Sequence, residues 1–218
     1  MTDKRQRPSA LEKTMRLVEF DRAFGANILA GVDEAGRGPL AGPVSVCACV
    51  MPTDELIVGI DDSKKLSEKK REDLYEKIIA VADYCVVLID IQTIDRINIL
   101  QATKLGMKRA IEGLKTTPEL AVIDAIKGLD ISVPFEPVIK GDAKSYCTAA
   151  ASIIAKVTRD RLMRELDRKY PQYGFIKNKG YGTAEHIDAL KTYGACPEHR
   201  KTFIKNFITE NSRDNGDN

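Results

Sequence analysis

Ile28-Leu29-Ala30-Gly31-Val32-Asp33-Glu34-Ala35-Gly36-Arg37-Gly38-Pro39 is the stretch on which the fold turns. Ile28 to Val32 is a short apolar run with the look of a buried strand, and Asp33 stands at its end. Two carboxylates at a strand end suit oxygen-preferring cations such as Mg²⁺ or Mn²⁺. Gly36 and Gly38 let backbone amides and carbonyls come close to a sugar or a phosphate. Metal-assisted chemistry on a phosphorylated polymer is therefore expected.

Downstream, Pro43 to Val50 is β-like and close enough to the first strand to pair with it antiparallel. Ser67 is placed to cap a helix running to about Ala82, and Tyr84 to Ile89 reads as a strand. Thr93 is expected to open one long helix through Leu114. Glu119 to Ile123 is a short buried strand ending at Asp124, and Ile131 to Ile139, with two prolines, is extended. Ser145 to Lys169 reads as a long helix whose first half, Ala149-Ala150-Ala151-Ser152-Ile153-Ile154-Ala155, is small enough to lie against a sheet. Tyr170-Pro171 ends it. The loop Lys177 to Gly182 leads into a helix capped by Thr183. With a helix over Leu11 to Phe24, the pattern is α/β, a mixed sheet flanked by helices with a helical C-terminal extension. Residues 1–10 and 209–218 are expected to be disordered tails around one domain, 11–208.

The chain has 218 residues, 43% hydrophobic and 30% charged, enough for a sizeable core. No apolar run approaches the ~20 residues of a membrane span, and the basic N-terminus lacks the apolar segment of a secretory signal. A cytoplasmic location is expected. Five cysteines without a CxxC pair read as reduced thiols. A zinc site from Cys196, His186 and His199 lacks the paired spacing that structural zinc favours. The net charge of +2 neither demands nor excludes nucleic acid, since lysine clusters such as Lys64-Lys65 decide locally.

Gly36-Arg37-Gly38-Pro39-Leu40-Ala41 matches a dinucleotide-binding fingerprint as a string, but that motif needs a helix directly after the glycines. Pro43 and the β-branched run that follows predict a strand instead. The acidic positions are more coherent. Asp33 and Glu34, Asp124 and Asp142 each follow an apolar extended segment. On neighbouring strands they would form a self-repelling cluster that calls for cations. One condition attaches: adjacent residues of a regular strand point to opposite faces, so Asp33 and Glu34 share a cleft only if the strand breaks there.

These residues carry a family resemblance. Asp33-Glu34-Ala35-Gly36-Arg37-Gly38, Asp62-Ser63-Lys64, Asp124 and Lys140-Gly141-Asp142 resemble the successive motifs of ribonuclease HII. So do Ala149 to Val157 with Arg159-Asp160-Arg161, and Lys179-Gly180-Tyr181-Gly182-Thr183 with Glu185-His186. The resemblance runs in order from about Leu29 to Phe203. Thr202 stands where the family commonly has serine, and Ala125-Ile126 follow Asp124 in place of a glycine-containing form. The resemblance implies a ribonuclease H-like fold and two-metal hydrolysis of RNA paired with, or embedded in, DNA. Asp33, Glu34, Asp124 and Asp142 would be the metal-binding catalytic carboxylates, with Mg²⁺ or Mn²⁺ as cofactor. Gly36, Arg37 and Gly38 would meet the ribonucleotide, Tyr181 would stack on the next sugar, and Lys64 and Ser145 would approach phosphates. The implied partners are RNA–DNA hybrid and ribonucleotide-containing duplex DNA, bound by a monomer with no membrane. No clear clamp-binding box stands near the C-terminus, and a replication-clamp partner is unassigned. The sister family ribonuclease HIII ranks lower, because the chain lacks the length for its extra N-terminal domain.

Overall fold

Strand β1 (Leu29–Ala35) is the centre of a five-stranded sheet. The structure, a computed structural model, describes residues 8–52 and 54–208. β2 (Val44–Val50) pairs antiparallel with β1, and β3 (Asp83–Ile89) antiparallel with β2. On the other side β4 (Leu120–Asp124) and β5 (Phe135–Val138) run parallel, giving the order β3-β2-β1-β4-β5. The strand that follows Pro43 removes the dinucleotide reading of the glycine turn, since no helix starts there to receive a pyrophosphate.

Helices cover both faces. On one lie α1 (Ala10–Arg22), α2 (Glu68–Val81) and α5 (Tyr146–Lys169), packed on Leu29, Cys47, Cys49 and Val122. On the other lie α3 (Ile91–Ile97) and α4 (Ile99–Glu112), packed on Val32, Val44, Val46 and Ile123. The small-residue half of α5 lets it sit directly on β1: a β-carbon at Gly31 would be 2.0 Å from the backbone of Cys147 and Thr148. Behind that contact Ile153 and Ile154 are fully buried, each contributing about 1.5–3 kcal/mol of burial free energy. A third cluster joins the far end of α5 to α6 (Phe175–Asn178), α7 (Ala184–Tyr193) and α8 (Lys201–Ile204).

Capping residues set most boundaries. Ser67, Ser145 and Thr183 each accept a hydrogen bond from the third residue of the following helix. Two expectations are corrected. The single helix opened by Thr93 is two: Asp90 caps α3 by accepting from the Thr93 amide at 2.6 Å, and the chain breaks at Asn98, whose φ is +65°. The Asn98 side chain then accepts from the amides of Leu100 and Gln101, starting α4. Asparagine tolerates the left-handed region and offers a short acceptor, so it can stop one helix and start another. Second, Ala10 already begins α1, and Ser9 caps it, forming a reciprocal capping box with Glu12. The remaining tail expectations, on 1–7 and 209–218, lie outside the described residues.

Candidate active site

Alternation along β1 sorts its two acids. Gly31 and Asp33 face α5, whereas Val32 and Glu34 face the α3–α4 side. The register with β2 is unbroken through Glu34↔Val46 and Ala35↔Ser45, so the break that would aim both acids one way does not occur there. Val32 pairs with Ile123 in the parallel ladder, which sets Asp33 beside Asp124. Asp142 arrives from β5 through a 3₁₀ turn, Gly141–Ala143. The Gly141 amide donates to Asp124 Oδ1 at 2.8 Å and ties that turn to the end of β4. Asp33, Asp124 and Asp142 each offer an oxygen within 4.8 Å of the other two.

Glu34 is not in that set: three of the four expected carboxylates gather, and the fourth lines the same cleft beside them. Its Oε1 lies 3.3 Å from Arg37 Nη1 at the lip of the cleft, and its Oε2 is buried with no partner.

Asp33 is only 3% exposed. Burial, then the charges of Glu34 and Asp124, push its carboxyl well above the ordinary aspartate value, against a 2.7 Å bond from the Glu34 amide. Burial raises Glu34 too, with Arg37 opposing. Asp142 is raised by burial and by Asp62, while Lys64 pulls the other way. Lys64 Nζ lies 3.4 Å from Asp142 Oδ2, yet its side chain is 76% exposed and free to reach outward. Burial depresses its ammonium pKa, but Asp142, Asp33 and Asp62 together outweigh that and raise it.

Above the acids opens a cleft of about 670 Å³, lined by Glu34, Gly36, Arg37, Gly38, Lys64 and Asp124, with Tyr181 on its far wall. Tyr181 is 48% exposed, and a β-carbon at Gly38 would lie 3.6 Å from its ring. Ser145 does not reach this cleft. It is fully buried, and its hydroxyl accepts from the Thr148 amide at 3.1 Å as the cap of α5, so a phosphate role has no surface there.

Two arginines, given no role by the motif reading, shape the glycine turn. Arg200 donates to the carbonyls of Gly36 (2.6 Å), Arg37 (2.9 Å) and Gly42 (3.0 and 2.7 Å). Arg159, from α5, donates to Pro43, Ala41 and Lys179 at 2.9–3.0 Å. Both are buried and bond only to backbone carbonyls. Burial lowers their pKa values to about 9 for Arg200 and about 10 for Arg159. Gly36, at φ +98°, leaves room for Arg159: a β-carbon there would sit 2.0 Å from its Nε. The sequence signal was available in Ala155-Lys156-Val157-Thr158-Arg159 and Met163, which put Arg159 on the apolar stripe of its helix.

All five cysteines are free, and among the described residues no group of three ligand atoms forms around Cys196. Among the described residues only the three aspartates gather ligand atoms. His186 and His199 are buried, with their Nε2 atoms 3.0 Å apart. Burial first, then His186, holds His199 down to about 4, and burial lowers His186 as well. The unfolded chain therefore binds protons that the folded one refuses. The contribution of His199 is full above its unfolded value near 6.5 and is lost as pH falls toward 4, by about 2–3 kcal/mol. Melting temperatures of the wild type and His199→Gln should accordingly differ less at pH 5 than at pH 7.5. A difference constant over that range would mean that His199 is not held neutral.

Comparison with known proteins agrees with this geometry. The Ribonuclease HII family model matches residues 30–209. A ribonuclease HII of Acetivibrio thermocellus is 54% identical over 188 residues, 84% of this chain and 72% of that protein. One of Endomicrobium trichonymphae is 53% identical over 192 residues, 86% of this chain and 91% of that protein. Among solved structures, the ribonuclease H2 of Pyrococcus horikoshii superposes with a TM-score of 0.69 at 32% identity, over 80% of this chain and 93% of that one. The ribonuclease HII of the PCNA:RNase HII complex from Archaeoglobus fulgidus gives 0.68 at 28% identity, over 79% and 93%. A sheet of this order, three aspartates at its strand ends and this degree of likeness leave one assignment: the chain is a ribonuclease H-type endonuclease belonging to the ribonuclease HII family.

Proposed function

We propose that this enzyme hydrolyses the RNA strand of RNA–DNA hybrids and cuts duplex DNA on the 5′ side of a single ribonucleotide. The ends left would be a 5′-phosphate and a 3′-hydroxyl, and the cellular role is removal of misincorporated ribonucleotides in the cytoplasm. The observation that carries the reading is the convergence of three aspartate oxygens beneath a cleft whose walls hold the glycine turn and an exposed tyrosine.

The residues fit a pair of divalent cations. Every donor is a carboxylate oxygen, which suits Mg²⁺ or Mn²⁺ better than zinc. Asp33 is buried among like charges that a cation would relieve, and the unpartnered Glu34 Oε2 is a further oxygen at hand. Asp33, Asp124 and Asp142 would hold the ions, with Glu34 joining by a side-chain rotation. Bound there, such ions supply an activated water and neutralise charge on the phosphate and the departing 3′-oxygen.

The remaining work belongs to the chain. The Gly36–Gly38 backbone, with no β-carbon at either glycine, reads the 2′-hydroxyl that separates RNA from DNA. Arg37 and Lys64 meet phosphates as exposed cations. Tyr181 gives the next sugar a flat apolar surface. No helix among the described residues is long and apolar enough to cross a membrane, and the enzyme is proposed to act as a monomer.

Cleavage of a duplex holding one ribonucleotide, with Mg²⁺, Mn²⁺ and EDTA compared, tests the activity; cutting undiminished by EDTA would overturn the metal site. Tyr181→Ala should lower kcat/KM on that substrate by about 10–100-fold, the worth of one stacking contact. Unchanged cutting would remove Tyr181 from the reading surface.

A further inference from the structure

His186 and His199 lie outside the cleft, and the chemistry above does not use them. Their bonding is ordered by its two ends. At one end the Cys196 amide, which can only donate, points at His199 Nδ1 from 3.0 Å. At the other the Tyr181 carbonyl, which can only accept, lies 2.8 Å from His186 Nδ1. Between them the two Nε2 atoms face each other at 3.0 Å. The Cys196 Sγ and carbonyl also lie 3.2 and 3.3 Å from His199 Nδ1, but with the nearer amide as its partner one arrangement satisfies all three contacts with neutral rings. His199 accepts at Nδ1 and carries its proton on Nε2, while His186 accepts at Nε2 and donates from Nδ1 to Tyr181. A proton added to His186 would set two N–H groups against each other, and one added to His199 Nδ1 would oppose the Cys196 amide.

The surroundings keep both rings neutral. They are walled by Tyr173 and Phe175, with ring centroids 4.7 Å from His199 and 5.4 Å from His186 respectively. Among the described residues no carboxylate bonds either imidazole. The downward shift of both rings agrees with that wall.

The relay ends on the backbone of the residue whose ring forms the cleft wall. Five other bonds hold the same loop: the Thr183 amide to the Tyr181 carbonyl, the Tyr181 amide to the Asn178 carbonyl, Gly180 to Asn178 Oδ1, Leu40 to the Gly180 carbonyl, and Arg159 to the Lys179 carbonyl, at 2.7–2.9 Å. The histidine bond is the one that reaches this loop from the segment around Cys196 and His199.

We infer that His186 and His199 are positioning residues: a neutral, one-directional hydrogen-bond relay from the Cys196 amide that fixes the Tyr181 carbonyl and so aims its ring at the Gly36–Gly38 turn. The inference rests on the proposed role of Tyr181 and adds how that ring is held.

The chain has only two histidines, so ¹⁵N labelling of histidine gives two ring systems in the unaltered protein. At pH 7 one ring should be the Nδ1–H tautomer and the other the Nε2–H tautomer. Two identical tautomers, or a charged ring, would overturn the relay. The positioning role is read from the ratio of kcat/KM on a single-ribonucleotide duplex to that on a continuous RNA–DNA hybrid, which cancels effects on the shared carboxylates. His186→Ala should lower the ratio about tenfold, as Tyr181→Ala does, and His186→Asn, whose amide can donate from the Nδ1 position, should restore it to within about threefold. If Tyr181→Ala lowers the ratio and His186→Ala does not, the relay has no positioning role. If Tyr181→Ala itself leaves the ratio unchanged, the underlying reading of Tyr181 fails first. The tautomer measurement needs no variant and stands even if His186→Ala does not fold.

Discussion

Asp33→Asn should abolish cleavage, by about a thousandfold or more, and at the same time raise the melting temperature of the metal-free protein. The two effects share one cause. Asp33 is buried, lies next to Asp124 in the sheet, and is held well above its usual pKa by burial and by Glu34 and Asp124. An amide removes one of the mutually repelling groups, and its oxygen can still accept the 2.7 Å bond from the Glu34 amide. Relief worth roughly 1 kcal/mol would appear as about 2–4 °C in a domain of this size. The variant would have lost the charge a cation needs while fitting its own fold better, the usual cost of a functional site. Thermal melts in EDTA, beside cleavage assays in Mg²⁺, check both halves. Substantial activity, or a clear fall in melting temperature, would contradict the account.

Gly31→Ala should be among the most damaging single changes to stability, at about 3–5 kcal/mol and a melting temperature lower by about 10 °C or more. The added β-carbon would meet the backbone of Cys147 and Thr148 at 2.0 Å, and backbone in a helix cannot rotate out of the way. α5 would have to lift from β1, opening the packing behind Ala149–Ala151 and Ile153–Ile154. Gly25→Ala provides the contrast. Gly25 has φ +71° and nothing within 4 Å of the added carbon, so it should cost only the ~1 kcal/mol of a left-handed backbone. Denaturant titrations of the two variants measure the difference; a Gly31→Ala protein within 1 kcal/mol of wild type would mean the helix does not lie on the strand.

What could be read along the chain was what neighbouring residues decide. The β1 run, the caps at Ser67 and Thr183, and the strand end at Asp124 all depend on residues within a turn or two of each other, and the structure agrees with each. The break at Asn98 is also local, but a continuous apolar periodicity on both sides hid it. Ser145 was visible as a polar residue beside a glycine–aspartate turn; its burial depends on how α5 docks on β1 and could not be read there. The strand alternation that separates Asp33 from Glu34 was foreseeable, and the break that would have aimed both acids one way is absent from the register of β1 with β2. Least legible were the bonds of Arg200 and those of Arg159 to Pro43 and Ala41, which join positions more than a hundred residues apart.

That separation has a consequence for how the enzyme comes into being. The glycine turn leaves the ribosome early, yet its carbonyls are gripped by Arg200, and the Gly42 amide bonds the Glu198 carbonyl only when the last described helix is near. Closing so long a loop is entropically costly and comes late, after local elements and the sheet have formed. A nascent chain therefore holds all three aspartates and Tyr181 for some time before it owns a shaped turn. On the proposed reading of the turn, competence to recognise a ribonucleotide would then come late in folding, and a chain truncated ahead of Arg200 would carry the acids without the clasp.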